Sequence, residues 1–374
     1  MRLLVDATAV PADRGGVGRY VDALLPELQA AGVDLVVACQ RRDAAVVERL
    51  VPHAEVVAAP AATARRPGRL AWEQSGLPLL ARRTRAEVLL SPHYTMPVRP
   101  GVPVVVTLHD ATFFSHPELH SPMKSRFFRA ATRRAVRHAD ALVVPSQATA
   151  REVARFTGAD ADRFHVAYHG VDRSVFRPAG AAERERVRAT LDIGGGQYVA
   201  FLGTLEPRKN VPALVRAWVG AVEGSPEPPA LVLAGGPGWD DQVGPAVDAV
   251  PEDLVVRRPG YLPLDDLPGF LAGAALVAYP SLGEGFGLPV LEAMACGAAV
   301  LTTRELSLPE VGGDAVAYCG PQEASIRAAI ASLLGDPDRR QELARRGVER
   351  AATFTWSRAA AAHMEAFEAA VRRG

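Results

Sequence analysis

Residues 281–297, SLGEGFGLPVLEAMACG, predict a glycine loop that runs directly into a helix. Three glycines alternate with larger residues in the loop: Gly283, Gly285 and Gly287. Such a backbone can turn sharply and approach a ligand closely. Pro289 suits the first helical position, and Gly297 suits the position just after the helix end. Because a helix N-terminus offers N–H donors and a partial positive charge, the stretch predicts an anion site, above all for phosphate.

Two carboxylates flank this predicted anion site. Glu284 lies in the loop and Glu292 lies about one turn into the helix, and both would repel a phosphate. One interpretation is that Glu292 stabilises the helix dipole while Glu284 is solvated. The other is that the two acids bind hydroxyl groups beside the phosphates, those of a ribose and of a sugar. The spacing of the two glutamates, with GFGLP between them, resembles the signature of the retaining glycosyltransferases of family 4.

The overall composition is that of a globular protein. The 374 residues suffice for two domains, and 48% of them are hydrophobic and 22% charged. Lys+Arg and Asp+Glu both number 42, so the charge balance predicts no polyanionic partner. No recognised nucleic-acid-binding module accompanies the basic residues, and we expect no nucleic acid.

The cysteines and the apolar runs indicate the compartment. Cys39, Cys296 and Cys319 are far apart, without metal-ligand spacing, as in a reducing compartment. The chain opens on an apolar strand pattern rather than a signal peptide, and no apolar run reaches the roughly 20 residues of a membrane span. We therefore expect a cytoplasmic protein whose membrane contact, at the inner face, is at most peripheral.

The first half of the chain predicts a parallel sheet. Short apolar runs alternate with helix-like segments at 2–10, 33–39, 87–90, 103–108 and 141–144. Gly15 and Gly16 follow the first run, as in a dinucleotide-binding turn, although such a turn is equally often a tight corner. Gln40, and no acid, follows the second run, which disfavours a nicotinamide dehydrogenase.

Polar residues stand where these predicted strands end, the edge at which ligands bind in such sheets. His109 directly follows VVVTL and is expected to point into the crevice, although a lone histidine is often structural. The TLHD segment resembles the family's cleft histidine, which contacts the transferred sugar. Asp110 is a candidate for acceptor binding or acid–base assistance, and His109 and Tyr94 are further candidate acceptor contacts.

The segment 122–138 is basic. On a helix, four arginines fall along one face: Arg126, Arg129, Arg133 and Arg137. They form either a solvated face over a buried stripe or a surface for anionic lipid head groups or a phosphorylated acceptor. In the family that the chain resembles, the N-terminal domain commonly takes the acceptor, often a lipid-linked or membrane-surface sugar.

A second βαβ series follows, and its first strand ends in GTLEPRKN, residues 203–210. Arg208 and Lys209 precede a helix that Asn210 is expected to cap. They are either a surface pair or the cations that neutralise a diphosphate, arginine as a bidentate fork and lysine as a point charge. The segment resembles the family's Arg-Lys element, which binds the donor diphosphate. Thr204 stands where many members carry a further arginine, which this chain lacks.

The resemblance implies further donor contacts. Gly15 and Gly16 would face the donor phosphates, and Gly235 and Tyr261 would hold the nucleoside, while Trp239 could stack on a ring or simply pack. Four residues of the opening loop and helix complete the implied donor site: Gly285, Phe286, Gly287 and Leu288. Glu292 would bind the ribose diol, and Glu284 the hydroxyls of the donor sugar.

The resemblance covers essentially the whole chain and implies the GT-B fold, an α/β architecture of two Rossmann-like doubly wound domains facing a central cleft. Residues 1–178 with the C-terminal helix 356–374 would bind the acceptor, and residues 179–355 the nucleotide sugar. Catalysis would fall to Glu284, His109, Arg208 and Lys209, without cofactor or metal, because the cations and helix N-termini stabilise the leaving diphosphate.

The implied reaction is retaining transfer of a hexose from a nucleoside diphosphate sugar to a saccharide, lipid-linked or small-molecule acceptor. EPRKN favours GDP-mannose by analogy with relatives that carry it, and UDP- or dTDP-sugars remain open. An epimerase or phosphorylase of the same architecture and a non-catalytic nucleotide-binding protein are the alternatives.

Overall fold

The chain folds into two compact units, and the structure, a computed structural model, describes residues 1–12 and 14–373. Unit 1 consists of Met1–Gly170 and Thr355–Gly374, and unit 2 of Val171–Phe354. The boundary therefore falls earlier than the predicted one after residue 178. Asp13, in the predicted first glycine turn, and Gly374, at the end of the predicted 356–374 segment, lie outside the described residues.

Unit 1 is built on a parallel sheet. Its strands are β1 (Arg2–Asp6), β2 (Asp34–Cys39), β3 (Glu55–Ala58), β4 (Val88–Ser91), β5 (Val104–Thr107), β6 (Ala141–Val144) and β7 (Phe164–Val166). Within the described part of the chain the order is β3-β2-β1-β4-β5-β6-β7, and every neighbouring pair is parallel. The connecting helices are α1 (Gly16–Ala30), α2 (Ala44–Leu50), α3 (Arg66–Thr84), α4 (Thr112–Ser115), α5 (Pro122–His138) and α6 (Gln147–Thr157).

Both faces of this sheet are covered, because the side chains of a strand alternate between its two faces. Leu3 and Val5 join the apolar cluster that contains Tyr20 of α1, whereas Leu4 joins the cluster on the other face, which contains Phe128 of α5. The continuous apolar runs in the sequence follow from this double burial.

Unit 2 repeats the plan. Its strands are β8 (Tyr198–Leu202), β9 (Ala230–Ala234), β10 (Val256–Gly260), β11 (Leu276–Tyr279), β12 (Val300–Thr303) and β13 (Ala317–Cys319), in the order β10-β9-β8-β11-β12-β13 over the described residues. Its helices are α7 (Ala181–Thr190), α8 (Val211–Val222), α9 (Val243–Asp248), α10 (Leu267–Gly273), α11 (Leu288–Ala295), α12 (Leu308–Gly312), α13 (Glu323–Leu334) and α14 (Pro337–Ala351).

The C-terminal helix α15 (Trp356–Arg373) belongs to unit 1, as the sequence predicts. Phe367 joins the same apolar cluster as Tyr20, and Arg373 Nη1 donates to the Asp140 carbonyl at 3.0 Å. Among residues 1–12 and 14–373, no helix combines the length and the apolar character that crossing a bilayer requires.

The two doubly wound sheets confirm the predicted fold class, with differences at the sheet edges. The first apolar run is a strand only as far as Asp6, after which Ala7–Ala9 form a 3₁₀ turn. The sequence analysis did not find β3 and β13, which are short edge strands with partly exposed residues. An edge strand lacks the continuous apolar run by which the central strands were recognised.

Each sheet reverses its strand order beside its first strand, between β1 and β4 in unit 1 and between β8 and β11 in unit 2. Loops at the carboxyl ends of the strands that flank such a reversal are the usual ligand-binding positions of this architecture. The segments after these four strands are therefore the positions at which we expect ligands to bind.

Gly170 provides a test of the packing of α15. A Cβ at this position would lie 2.5 Å from the Thr355 carbonyl carbon and closer still to the Trp356 nitrogen, so backbone would have to move. We expect Gly170→Ala to destabilise the protein by about 1–3 kcal/mol, as overpacking does, measured by thermal or urea unfolding. Gly244→Ala is the matched control, because a Cβ at Gly244 meets nothing within 4 Å. An equal change in the free energy of unfolding in the two variants would contradict this account.

Candidate active site

The segments that follow β8 and β11 meet in unit 2. Arg208 and Lys209 lie in the 3₁₀ turn Pro207–Lys209, which leads from β8 to α8. The Arg208 carbonyl accepts from Leu282 N at 2.8 Å and from Ser281 Oγ at 3.1 Å, both in the loop after β11. Backbone hydrogen bonding thus joins the two segments that the sequence analysis proposed as parts of one site.

Glu284 is held by side chains from both segments. Its Oε1 accepts from Lys209 Nζ at 2.6 Å, from Tyr279 Oη at 2.9 Å and from Ser281 Oγ at 2.7 Å. Its Oε2 forms an ion pair with the Arg208 guanidinium. Only 7% of Glu284 is exposed, which rules out the interpretation of a merely solvated carboxylate.

Glu206 completes this arrangement by accepting from Arg208 Nη2 at 2.5 Å. We call Glu206, Arg208, Lys209 and Glu284 the ion-pair cluster. Its side chains are only 8–15% exposed, and its two positive and two negative formal charges cancel. Lys209, whose Nζ also donates to Tyr279 Oη, is itself 7% exposed, so the expectation of a surface pair is wrong for it.

The surroundings fix the protonation states in the cluster. Burial raises the pKa of Glu284, but the nearby charges of Arg208 and Lys209 outweigh burial and bring that pKa down to about 2. Burial and then the Arg208 charge lower the pKa of Lys209, against the opposing pull of Glu284 and Glu206. Burial and the Glu284 charge raise the pKa of Tyr279, whose hydroxyl therefore remains a donor. Glu284 is thus an ionised acceptor at neutral pH.

The loop between β11 and α11 is fixed by buried hydroxyl groups. Ser307 Oγ lies 2.7 Å from the Glu284 carbonyl and 2.8 Å from the Phe286 carbonyl, and Thr303 Oγ1 donates to the Ser281 carbonyl at 2.6 Å. Gly287, with φ of +104°, turns the chain into α11 in a conformation that favours glycine. The loop is therefore shaped by its own contacts before any ligand binds.

Helix α11 begins at Leu288 with Pro289 in its first turn, and Gly297 follows its end with φ of +75°, as expected. Glu292 lies inside this helix and is 1% exposed. Asn210 precedes α8 but does not cap it with its side chain, because its backbone is left-handed and its Nδ2 donates to the Pro321 carbonyl at 2.9 Å. The expected cap at Asn210 is wrong.

Gly235 and Tyr261 follow β9 and β10. At Gly235, with φ of +131°, a Cβ would lie 2.6 Å from the Gly203 carbonyl carbon, so close backbone packing alone requires glycine there. Tyr261 is 64% exposed and Trp239 is 49% exposed. These aromatic rings are therefore accessible to a ligand, whereas Gly235 needs no ligand to explain it.

In unit 1, the glycine turn opens α1. Gly15 precedes the helix and Gly16 is its first residue, as the strand–turn–helix pattern predicts. A Cβ at Gly16 would meet no described atom within 4 Å, so space rather than packing surrounds this position.

His109 follows β5 and is part of an aromatic cluster. Its Nε2 donates to the Pro92 carbonyl at 2.6 Å, and its ring lies edge-to-face with Tyr20 at 5.0 Å between centroids. Burial lowers the pKa of His109 against the raising effects of the Pro92 bond and Asp110, which favours a neutral imidazole.

Tyr20 connects this cluster to α15. His363 Nδ1 donates to the Ala359 carbonyl at 2.7 Å, so its Nε2 accepts from the Tyr20 hydroxyl at 2.6 Å. Thr107 Oγ1, two residues before His109, lies 3.0 Å from the Tyr20 hydroxyl oxygen. Burial lowers the pKa of His363 to about 4, so this chain of hydrogen bonds is built on a neutral imidazole.

Tyr94 and Asp110 are tied into the loops that they belong to. Tyr94 is 3% exposed, and its hydroxyl accepts from Asp110 N at 2.9 Å. Asp110 Oδ1 accepts from Thr112 N at 3.0 Å and from Thr112 Oγ1 at 2.9 Å. Both side chains therefore stabilise the loop after β5, and their acceptor role stays a prediction.

The basic segment is the predicted helix, α5, and only part of its arginine face is directed to solvent. Arg126, Arg133 and Arg137 are exposed. Arg129 Nε donates to the Phe113 carbonyl at 2.6 Å, and Arg129 and Arg133 lie over the Phe114 ring at 6.0 and 5.1 Å. The face thus combines structural and accessible arginines.

Sequence reasoning missed three members of the unit 2 site: Glu206, Tyr279 and Ser281. The carboxyl end of the strand ALVAYPS was the available signal for Tyr279 and Ser281. His363, in an alanine-rich helix, offered no comparable signal. Within the described residues, no group of three or more His, Cys, Asp or Glu side chains is placed to hold a metal ion.

The ion-pair cluster predicts how stability depends on pH. Because folding lowers the pKa of Glu284 from 4.5 to about 2, its ionised form stabilises the fold fully above pH 4.5 and progressively less as the pH falls toward 2. We expect Glu284→Gln to lower the free energy of unfolding at pH 7 by about 3 kcal/mol, and the difference to shrink below pH 4.5, in urea unfolding followed by circular dichroism. Glu349→Gln, at an exposed ion pair, is the control. A pH-independent difference would refute this assignment.

Two family models match adjoining parts of the chain. Residues 14–175 match the model for Glycosyltransferase Family 4, and residues 183–350 match the model for Glycosyl transferases group 1. The crystal structure of HepE from Anabaena in complex with UDP and glucose has a TM-score of 0.78 and 19% identity, and the match covers 98% of both chains. At this identity the likeness concerns the fold.

Two relatives are more similar in sequence. The O-antigen chain mannosyltransferase B of Escherichia coli is 34% identical over 254 residues, which are 67% of this chain and 66% of that protein. The D-inositol 3-phosphate glycosyltransferase of Acidothermus cellulolyticus is 31% identical over 384 residues, 92% of this chain and 83% of that protein. The family models, these relatives and the two Rossmann-like units show that the chain belongs to glycosyltransferase family 4, with the GT-B fold.

Proposed function

We propose that this glycosyltransferase moves a hexose, with mannose favoured, from a nucleoside diphosphate sugar to a hydroxyl of a saccharide, lipid-linked or small-molecule acceptor. The anomeric configuration is retained, and no metal ion takes part. The observation that carries the proposal is the buried contact of Arg208 and Lys209 with Glu284, where β8 and β11 end.

The donor diphosphate takes its place against Arg208 and Lys209. Both cations are already desolvated and held side by side by Glu206 and Glu284, so an arriving anion meets them in place. An arginine fork suits two phosphate oxygens, and a buried lysine acts as a point charge. Because the charges of the cluster cancel, the diphosphate replaces part of the carboxylate contact, and the N-terminal end of α11 adds to its stabilisation.

Cleavage of the anomeric C–O bond leaves the bonding electrons on the diphosphate oxygen. The two cations stabilise this charge as it develops, and in a water-poor site each such contact is worth more than in water. The acceptor oxygen forms the new bond to the anomeric carbon, and its proton passes to the departing phosphate oxygen. No protein nucleophile is assigned.

We assign the remaining donor contacts to residues of unit 2. Glu284 is ionised and is assigned to hydroxyls of the donor sugar, and Glu292, on the adjoining helix, is assigned to the ribose. The backbone of Gly285, Phe286, Gly287 and Leu288 borders Glu284. The exposed Tyr261 ring borders the nucleoside.

GDP-mannose is the favoured donor, and the name of the relative from Escherichia coli, a mannosyltransferase, supports mannose as the sugar. The structural neighbour from Anabaena holds UDP and glucose, which makes a UDP-sugar the second candidate. The acceptor is assigned to unit 1, where His109, as a neutral imidazole, contacts the transferred sugar and the accessible arginines of α5 receive an anionic or membrane-bound acceptor.

The role of Lys209 can be tested with a substitution that preserves length. We expect Lys209→Met to lower kcat for transfer by about 10²–10³-fold, because one stabilising charge is lost from a desolvated site. Sugar transfer is measured in the presence of EDTA, in which the wild-type protein should remain active. Arg216→Met, which breaks an exposed ion pair with Glu323, is the matched control and should leave kcat unchanged. Near-normal transfer by Lys209→Met would contradict the proposal.

The donor base can be identified by ligand-induced stabilisation. We expect GDP to raise the melting temperature more than UDP, dTDP or ADP at equal concentration, because a ligand bound only by the native state stabilises it. A larger shift with UDP would reassign the donor, and no shift with any of the four would contradict nucleotide binding.

A further inference from the structure

Unit 1 contains a cavity of about 290 Å³ between α3, α5 and the loop that follows β4. Most of its wall is apolar and comes from Leu70, Met96, Val98, Phe127, Ala130 and Ala131. A volume near the lower end of the range of ligand pockets, about 300–1,000 Å³, suits part of a ligand, such as a short hydrocarbon segment.

The polar side chains that α3 contributes to the wall, Glu73 and Gln74, form hydrogen bonds within the protein. Glu73 is 2% exposed, and its Oε2 accepts from Thr95 Oγ1 at 2.5 Å and from Arg69 Nη1 at 3.2 Å. Gln74 Oε1 accepts from Val98 N at 2.7 Å. These groups need no ligand, and Glu73 does not present an unpaired charge to one.

Arg134 differs from these groups. It lines the same cavity, and its Nε is buried without a hydrogen-bond partner among the described residues. A buried donor without a partner loses its hydrogen bonds to water on folding and gains none in exchange. A second cation, Arg66, lies with its guanidinium 4.2 Å from the centroid of the Phe127 ring. Two arginines therefore lie beside the apolar wall, and the Nε of Arg134 is a donor without a hydrogen-bond partner among the described residues.

The apolar surface continues outside the cavity. Met123 lies one turn before Phe127 on α5, on the same face, and is 79% exposed, while Val98 is 59% exposed. Segment 122–138 contains no carboxylate that would neutralise its lysine and arginines. This end of unit 1 therefore combines exposed apolar side chains with positive charge.

We propose that this cavity binds the hydrocarbon part of a monomeric anionic amphiphile, and that Arg134 binds the phosphate that the hydrocarbon carries. Arginine suits a phosphate because its planar fork can donate two parallel hydrogen bonds. The proposal rests on the proposed function, since this amphiphile is the acceptor of the transferase or the anchor of that acceptor.

The position of the cavity relates it to His109. The Pro92 carbonyl, in the loop that follows β4, accepts a hydrogen bond from His109 Nε2. The same loop contributes Thr95, Met96 and Val98 to the cavity wall. One short loop thus borders both the histidine and the cavity.

The probe for this proposal is octyl phosphate below its micelle-forming concentration, titrated calorimetrically into the full chain without donor. Octanol and inorganic phosphate test the apolar and the anionic halves separately. We expect octyl phosphate to bind at least ten-fold more tightly than either, because only it fills the cavity and reaches Arg134. Equal binding of inorganic phosphate would overturn the proposal, as would binding only to vesicles that contain phosphatidic acid.

Three variants locate the binding. Arg134→Gln and Ala131→Phe, which places a ring in the cavity, should each weaken octyl phosphate binding at least ten-fold. Arg49→Gln removes the same charge from an exposed position on α2 of the same unit, away from the cavity wall, and should leave the affinity unchanged. Equal affinity in all the variants, or an equal loss in Arg49→Gln, would overturn the assignment. Should Ala131→Phe fail to fold, Arg134→Gln alone decides.

Nucleotide binding, measured on the same samples by thermal shift, separates this proposal from the proposed function. Octyl phosphate binding without a nucleotide shift would contradict the transferase proposal alone, and a nucleotide shift without octyl phosphate binding would contradict the cavity alone.

Discussion

The central constraint in unit 2 is the need of two adjacent buried cations for a counter-charge. Arg208 and Lys209 are consecutive residues in the turn that follows the central strand β8, and the side chains of both are largely buried. Burying such charges is costly unless they are paired and hydrogen-bonded. Glu284 supplies the pairing from the loop after β11, and Tyr279 and Ser281 donate further hydrogen bonds to its Oε1. The strand order makes this possible, because β8 and β11 are neighbours in the sheet although about 75 residues separate the partners.

The same constraint explains how the site can serve catalysis. In the proposed reaction, the energetic cost of desolvating and orienting the cations is met during folding, and a diphosphate meets them already in place. The low pKa of Glu284 keeps it an acceptor throughout, which suits contact with sugar hydroxyls and is unsuited to donating a proton. His109 in unit 1 is neutral for a different reason, burial without a strong ionic partner. The two units thus offer different chemistry: paired charges in unit 2, and uncharged donors and acceptors with aromatic rings around His109.

Much of this organisation is present in the sequence. The central strands are apolar on both faces and stand out as short runs, and the Glu284–Glu292 and GTLEPRKN segments identified the family. The partners of Glu284 could not be derived in the same way, because an ion pair between distant segments depends on how side chains are oriented after folding. Tyr94 and Asp110 illustrate the reverse case: their positions suggested ligand contacts, and the structure shows each engaged in the loop after β5. The edge strands β3 and β13 escaped detection because half-exposed residues interrupt their apolar pattern.

The most direct test of the central claim is a crystal structure of the protein with a bound nucleoside diphosphate. Our account predicts that the diphosphate oxygens lie within hydrogen-bonding distance of the Arg208 guanidinium and Lys209 Nζ, and that the Arg208 contact with Glu206 or Glu284 lengthens to admit them. A nucleotide bound elsewhere, with the ion-pair cluster unchanged, would contradict it.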